Sequence, residues 1–557
     1  MIFHKVFILL IAIMGSILVI ADEVILETSQ GKLLGITAGK DNNKISIYKG
    51  IPYAVPPIGN RRWKPPEPAL SWQGIRHATS FGPACMQKSI HDMGTLSEDC
   101  LSLNIWTGGK IDKKRPVMVW IHGGGQKVGA GSLARFDGTA LAKKGVVLVT
   151  INYRLNVFGY FAHPELSAES PNGVSGNYGL RDQIQALKWV RENIAAFGGD
   201  PDNITIFGVS GGADGVKQLL ASPLAHGLFH RAIAQSGTSF TPIRLLKKSY
   251  MGEPSAETIG HRFGEKINAP SLAELRDIPA RKITEQWWSQ GDSVVGPDTL
   301  LVVDGWSLPD QIYSIFDQGK QSDVPVIIGF TADEATGLSR YGFVPPVPMD
   351  AAHYRAEVRG RYGELANDYI SVYPADNIED SVFNSVRDGA FGWGAQTWAK
   401  MTQNVSSKAY LYLFDHEPPW ATGKTILFQP GNQQRRLGAS HGAEVLYVFN
   451  TLQMDAETVY SQNIHNHMMD VISDYWVAFA TNGIPDVKGL PVWKSYTDKS
   501  RNYMSFNDGN GLPSSNLYPG ASEVYNKINA KRWEAGIFWS NKQNSLNGFI
   551  KKGERKQ

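Results

Sequence analysis

The hydrophobic positions of this chain fall into two rhythms that alternate along it. Short apolar runs read as buried strands: "RPVMVWIHGGG" (115–125), "GVVLVTINYRL" (145–155), "HRAIAQSG" (230–237) and "VPVIIGF" (324–330). "NITIF" (203–207) is a shorter run of the same kind, and "AYLYLFDHE" (409–417) one rich in aromatics. Between them lie segments with helical spacing. "LRDQIQALKWVRENIAAFGG" (180–199) puts Leu180, Ile184, Leu187 and Ile194 on one helical face and meets a natural stop at Gly198. "ADGVKQLLAS" (213–222) and "NHMMDVISDYWVAFATNG" (466–483) read as further helices. Near the start, "EVILETSQGKLLGITA" (23–38) predicts a strand, a glycine turn and a second strand. Apolar strands alternating with amphipathic helices predict an α/β fold: a large, mostly parallel central sheet covered by helices on both faces. Sites in such sheets form in loops at the carboxyl ends of strands.

Length adds insertions to this picture. The chain has 557 residues, 42% of them hydrophobic and 19% charged, more than a typical single domain holds. No Pro/Ser-rich linker, charge block, low-complexity run or fixed-period repeat divides it. The expectation is one domain over 22–540, preceded by a signal peptide over 1–21 and followed by a basic, flexible tail over 541–557. A formal charge of +3 is too small for a nucleic-acid footprint.

The first residues hold Lys5, an apolar run of about 15 residues and the small-residue end Val19-Ile20-Ala21. This pattern predicts export, with cleavage after Ala21 and a secreted or periplasmic product. The alternative is an uncleaved anchor, but the run is short for a membrane span. The two cysteines, Cys85 and Cys100, both lie in the exported part and most simply form one disulfide. The sequons at Asn203 and Asn404 matter only in a eukaryotic host.

The candidate chemistry sits at the strand ends. Gly208-Val209-Ser210-Gly211-Gly212 matches the nucleophile-elbow pattern G-x-S-x-G. The motif alone is weak in a chain with 57 glycines, but a strand precedes it and a helix follows, as an elbow requires. A serine hydroxyl needs a base and an oxyanion hole. In "WIHGGGQKVG" (120–129), Gly124 and Gly125 offer backbone N–H groups at a second strand end, and the N–H of Gly211 makes a third donor. Neither glycine stretch fits a phosphate loop. In this architecture the order is Ser, acid, His. "VPVIIGFTADEATG" (324–337) ends a strand with Asp333 and Glu334, and spacing alone permits either carboxylate. "GASHGAEVLYVF" (438–449) supplies His441.

The order and spacing of longer stretches carry a resemblance. "GIPYAVPPIGNRRWKPPEP" (50–68), "SEDCLSLNIW" (97–106), "NYRLNVFGYF" (152–161), "GNYGLRDQIQALKWVRENIAAFGGDPDNITIFG" (176–208), "LFHRAIAQSGT" (228–238), "TADEATG" and "SHGAEVLYVF" resemble the type-B carboxylesterases, the family that includes the cholinesterases. The phrasing most resembles bacterial members. The resemblance implies an α/β-hydrolase fold and a serine carboxylester hydrolase working through an acyl-enzyme, with no metal or organic cofactor. It implies Ser210 as nucleophile, Glu334 rather than Asp333 as acid, His441 as base, and Gly124, Gly125 and Gly211 as oxyanion donors. It aligns Cys85 and Cys100 with a loop disulfide. Arg62 with Glu98, and Arg154 with Asp182, align with structural ion pairs. The implied partner is a small-molecule ester.

Several positions depart from the family's pattern. Val209 and Gly211 stand where most relatives carry an acid and an alanine; Val209 either fills packing space or lines a drier pocket floor. Gln126 stands where an aromatic is usual, and is expected at the pocket wall. Trp287 and Trp288 are candidate pocket residues or packing residues. Asp214 reads as a helix N-terminal charge and His122 as structural. His465 and His467, two apart, lack the spacing of a helical metal site. The short loop between the cysteines has no aromatic, which argues against a choline ester. Two other functions compete: a non-catalytic cholinesterase-like binding protein, and a lipase, lactonase or amide hydrolase on the same fold.

Overall fold

The computed structural model describes residues 23–39, 44–88, 93–109, 114–289, 301–428, 433–452 and 463–539. The expected signal segment 1–21 and tail 541–557 lie outside the described residues.

One sheet of 13 strands dominates. Its first strands are β1 (Glu23–Thr28), β2 (Gly31–Ala38), β3 (Ile45–Pro52), β4 (Ile75–His77) and β5 (Ser102–Gly108). Then come β6 (Arg115–Ile121), β7 (Val147–Ile151), β8 (Gly199–Val209), β9 (Arg231–Gln235) and β10 (Val326–Thr331). β11 (Ala409–Phe414), β12 (Asn502–Asn507) and β13 (Asn510–Ser515) complete it. The spatial order is β1-β2-β3-β5-β7-β6-β8-β9-β10-β11-β12-β13, with β4 beside β2. Every neighbouring pair from β7 to β12 is parallel, and the outer pairs along this order are antiparallel. The chain runs outward from β6 to β7, then returns past β6 to β8. The loops after β6 and β8 therefore diverge and leave a crevice at their carboxyl ends, where a site can form.

Successive residues of β6 point to opposite faces, as a pleated strand requires. Val117, Val119 and Ile121 join the core on one face, packed against Leu187 and Leu219 of the helices Tyr178–Asn193 and Gly211–Ala221. Met118 and Trp120 join the core on the other, with Trp476 and Phe479 of the helix Asn463–Asn482. The pattern leaves unplaced the helices Ala351–Tyr362, Ala366–Val372, Ile378–Arg387 and Trp393–Met401, the last two joined by a π-turn at Asp388–Gly392. Tyr354, Phe383 and Trp398 pack them into the first core.

Cys85 and Cys100 are joined by a disulfide. Both expected ion pairs form. Arg62 grips Glu98 with two bonds of 2.7 Å. Arg154 grips Asp182 at 2.8 and 2.7 Å, with both side chains buried. Asp182→Ala would strand a buried guanidinium. The expected loss is about 3–5 kcal/mol of stability, read from the denaturation midpoint.

Candidate active site

β8 delivers Ser210 on a strained turn, at φ 55° and ψ −124°. The flanking glycines are steric necessities. A Cβ on Gly208 would lie 2.6 Å from the Ile121 carbonyl oxygen, and one on Gly212 2.0 Å from it. The Ser210 N–H donates to the Gln235 carbonyl at 2.8 Å, tying the elbow to the end of β9. Asp214 in the first helical turn accepts from the Thr238 N–H at 3.0 Å and pairs with Lys217 at 3.2 Å. It is an anchoring charge, as its helix position suggests.

β10 delivers both candidate acids. Glu334 is fully buried: its Oε1 accepts from the Thr331 N–H at 2.9 Å, and its Oε2 accepts a short hydrogen bond from His441 Nδ1. Asp333 does a different job. Its N–H donates to the Ala439 carbonyl at 3.0 Å, and its carboxylate accepts from the Ala439 N–H at 3.0 Å. This bonding separates the two carboxylates that spacing leaves equivalent. The other ring nitrogen of His441, Nε2, is buried and has no hydrogen-bond partner among the described residues. Phe391, at the π-turn, packs against the imidazole with ring centroids 5.2 Å apart.

A second buried carboxylate, Glu444, escapes sequence reasoning. Its Oε1 accepts from Gln235 Nε2 and from the Tyr412 hydroxyl, each at 3.2 Å. Trp476 Nε1 donates to Gln235 Oε1 at 3.3 Å and holds that amide in turn. Burial, with the Glu334 charge adding to it, pushes the Glu444 carboxyl up to about 7. The only sequence signal was an acid three residues after His441. For His441, burial favours the neutral ring, but the Glu334 charge and hydrogen bond, helped by Glu444 and Asp214, hold its pKa above the ordinary value. With His441 as the candidate base, which must be neutral to act, activity is expected to fall as pH drops through that raised value. The acid limb of kcat/KM for a neutral ester is expected above 6.5. Glu444 carries its charge only above about pH 7, so Glu444→Gln should pull the limb to lower pH to the extent that the limb lies above that value.

The glycine loop after β6 lies against the elbow: a Cβ on Gly123 would sit 3.3 Å from Ser210 Cβ. His122 stacks on Tyr153 at 4.6 Å, and burial drops its pKa to about 4, so it is a neutral packing group. Val209 is buried between loops: its Cγ1 would be 3.2 Å from a Cβ on Gly123, and its Cγ2 3.7 Å from one on Gly442. That arrangement supports the packing account of this residue. Gln126, expected at the pocket wall, is buried, and Trp287 takes the packing alternative. Gln126 turns inward and bonds to Gln218, because a buried partner satisfies its amide. Trp287, on the helix Ala280–Ser289, packs with Trp63, Phe161 and Phe263 in a satellite core. Trp288 shares that helix, but its side chain lies outside the described residues. No cluster of His, Cys, Asp and Glu that could hold a metal occurs among the described residues.

Known proteins place the chain in a family. The model of the carboxylesterase family matches residues 22–525. The fumonisin B1 esterase of Sphingopyxis macrogoltabida is 35% identical over 471 residues, 81% of this chain and 82% of that protein. The para-nitrobenzyl esterase of Bacillus subtilis is 33% identical over 498 residues, 86% of this chain and 93% of that one. Mouse carboxylesterase 1F is 32% identical over 519 residues, 85% of this chain and 89% of its own. A solved PNB esterase superposes with a TM-score of 0.73 at 29% identity, covering 90% of this chain and 99% of that one. Its fold is the α/β-hydrolase fold, as the strand pattern and the resemblance led one to expect. A match of this length, with relatives this similar, means that the chain belongs to the carboxylesterase family and is a carboxylic ester hydrolase.

Proposed function

We propose that this chain hydrolyses small-molecule carboxylic esters through an acyl-enzyme, with Ser210 as nucleophile, His441 as base and Glu334 as its orienting acid. The observation that carries the reading is the buried His441–Glu334 hydrogen bond, on a loop whose Gly442 would bring a Cβ within 3.7 Å of Val209, the residue before the serine with elbow geometry. In the first step His441 Nε2 takes the Ser210 proton as Oγ attacks the ester carbonyl. The tetrahedral oxyanion is held by the N–H groups of Gly124, Gly125 and Gly211. His441 then returns the proton to the leaving alkoxide, and the alcohol departs. Water repeats the sequence on the acyl-enzyme: it gives a proton to His441, attacks, and the acid leaves as Ser210 recovers its hydrogen. Glu334 keeps the proton on Nδ1 and stabilises the imidazolium. These steps call on no metal or organic cofactor.

The N-terminal pattern supports export of the chain, with cleavage after Ala21, as a single catalytic domain over 22–540. Among the described residues no helix is long and apolar enough to cross a membrane.

Purified mature protein should turn over p-nitrophenyl acetate and butyrate, and one equivalent of a fluorophosphonate should stop it with a single adduct on Ser210. A folded protein with neither turnover nor adduct would put the binding-protein reading first.

A further inference from the structure

The loop after β6 and the helix after Ser210 are tied by a pair of glutamines that the proposed chemistry does not use. Gln126 Nε2 donates to Gln218 Oε1 at 3.0 Å, and Gln218 Nε2 donates back to Gln126 Oε1 at 3.4 Å. The two residues are only 3% and 5% exposed. Removing either leaves a buried amide of the other unsatisfied, so the pair holds as a unit. Gln218 follows Gly211 by two helical turns and shares its face of the helix Gly211–Ala221. That face meets the loop closely. A Cβ on Gly211 would lie 2.7 Å from the backbone nitrogens of both Gly125 and Gln126, and 2.8 Å from Gly125 Cα. These are backbone atoms and cannot swing aside. Gln126 also holds a left-handed backbone, φ 58°, and its carbonyl accepts from the Asn156 N–H at 2.8 Å. The loop is thus pinned on both sides of the bend.

We infer that Gln126 and Gln218 are positioning residues that clamp the oxyanion loop onto the nucleophile's helix, at a spacing that only glycine at position 211 permits. The inference rests on the serine-hydrolase reading of the site. The clamp acts through the loop backbone, setting where the N–H groups of Gly124 and Gly125 stand relative to that of Gly211. Small displacements of such donors cost rate more than affinity. The clamp also joins two departures from the family's pattern. An alanine after the serine has no room here, and the residue after the glycines is an amide because its partner is one.

Gly211→Ala is expected to lower kcat by about 10²- to 10³-fold while KM stays within about threefold. Gln126→Ala and Gln218→Ala should each lower kcat by about tenfold or more, with the double variant no worse than the poorer single. Amide hydrogen exchange supplies a readout independent of turnover. The peptide spanning 122–129 should exchange faster in either glutamine variant, with the rest of the chain unchanged. If the alanine variants fail to fold, Gln126→Leu/Gln218→Leu keeps the volume without unpaired amides, and its loop should still exchange faster. An inert wild type would sink the esterase reading, yet the exchange experiment would still decide the clamp. An active wild type with unchanged kcat in Gly211→Ala overturns the clamp. Loop exchange at wild-type rates in the glutamine variants overturns it equally.

Discussion

Ser210→Ala is expected to lower kcat on p-nitrophenyl butyrate by about 10⁴- to 10⁶-fold, and His441→Ala by a similar factor. The two losses should not add, because each residue is useless without the other: a serine hydroxyl is a poor nucleophile until a base takes its proton. The double variant should therefore match the poorer single. Residual turnover above the uncatalysed rate would report the oxyanion donors and binding alone. Ser210→Ala should melt close to wild type, whereas His441→Ala leaves the buried Glu334 carboxylate without its histidine partner and should melt lower. Equal rates in wild type and Ser210→Ala would assign the nucleophile elsewhere.

Glu334→Gln is the second large effect, about 10⁴-fold in kcat. The reason lies in the two bonds that this carboxylate accepts. Oε1 takes the Thr331 N–H and Oε2 takes His441 Nδ1–H. A glutamine has one oxygen and one NH₂, so it cannot accept both. If the oxygen keeps the Thr331 N–H, the NH₂ faces Nδ1 and forces that nitrogen to accept. The ring proton then moves to Nε2, the atom that must receive the Ser210 proton. Removing the charge also lowers the histidine's pKa. The variant's pH profile should thus show a small kcat and an acid limb at lower pH. A loss confined to KM would show that Glu334 acts on binding instead.

The parts of this site that could be read in the sequence are those announced by short-range chemistry. The elbow shows because the tight turn demands glycine at 208 and 212, and the glycine loop because it ends an apolar strand. His441 shows through its setting in a small-residue loop. Choosing Glu334 over Asp333 needed the family resemblance, because adjacent carboxylates look alike until their hydrogen bonds are seen. Glu444 was illegible for a different reason. Its partners Gln235 and Tyr412 come from separate strands, and only assembly of the sheet reveals a buried acid behind the histidine. Gln126 was misplaced because the direction of a side chain depends on its backbone: a left-handed φ turns it toward Gln218 and away from the pocket wall. For Trp287 the sequence left pocket and packing both open, and packing holds because a large apolar ring finds a core wherever the helix carrying it docks.

The two hydrogen bonds between Asp333 and Ala439 make a closed excursion of the chain between them. The polypeptide leaves the acid's loop, forms the helices from 351 to 401, one strand of the large sheet and the antiparallel pair Thr425–Phe428 and Gln433–Arg436, and returns to the same point, where Thr336 also bonds to the Leu437 carbonyl at 2.7 Å. Acid and base thus behave as one mechanical part, although about a fifth of the sequence separates them. Helices on such an excursion can change length or composition with the acid–base geometry held at the neck, provided that Phe391 keeps its place against the imidazole. Variants drawn over that excursion should leave the Glu334–His441 hydrogen bond in place, while variants at its neck should disturb it.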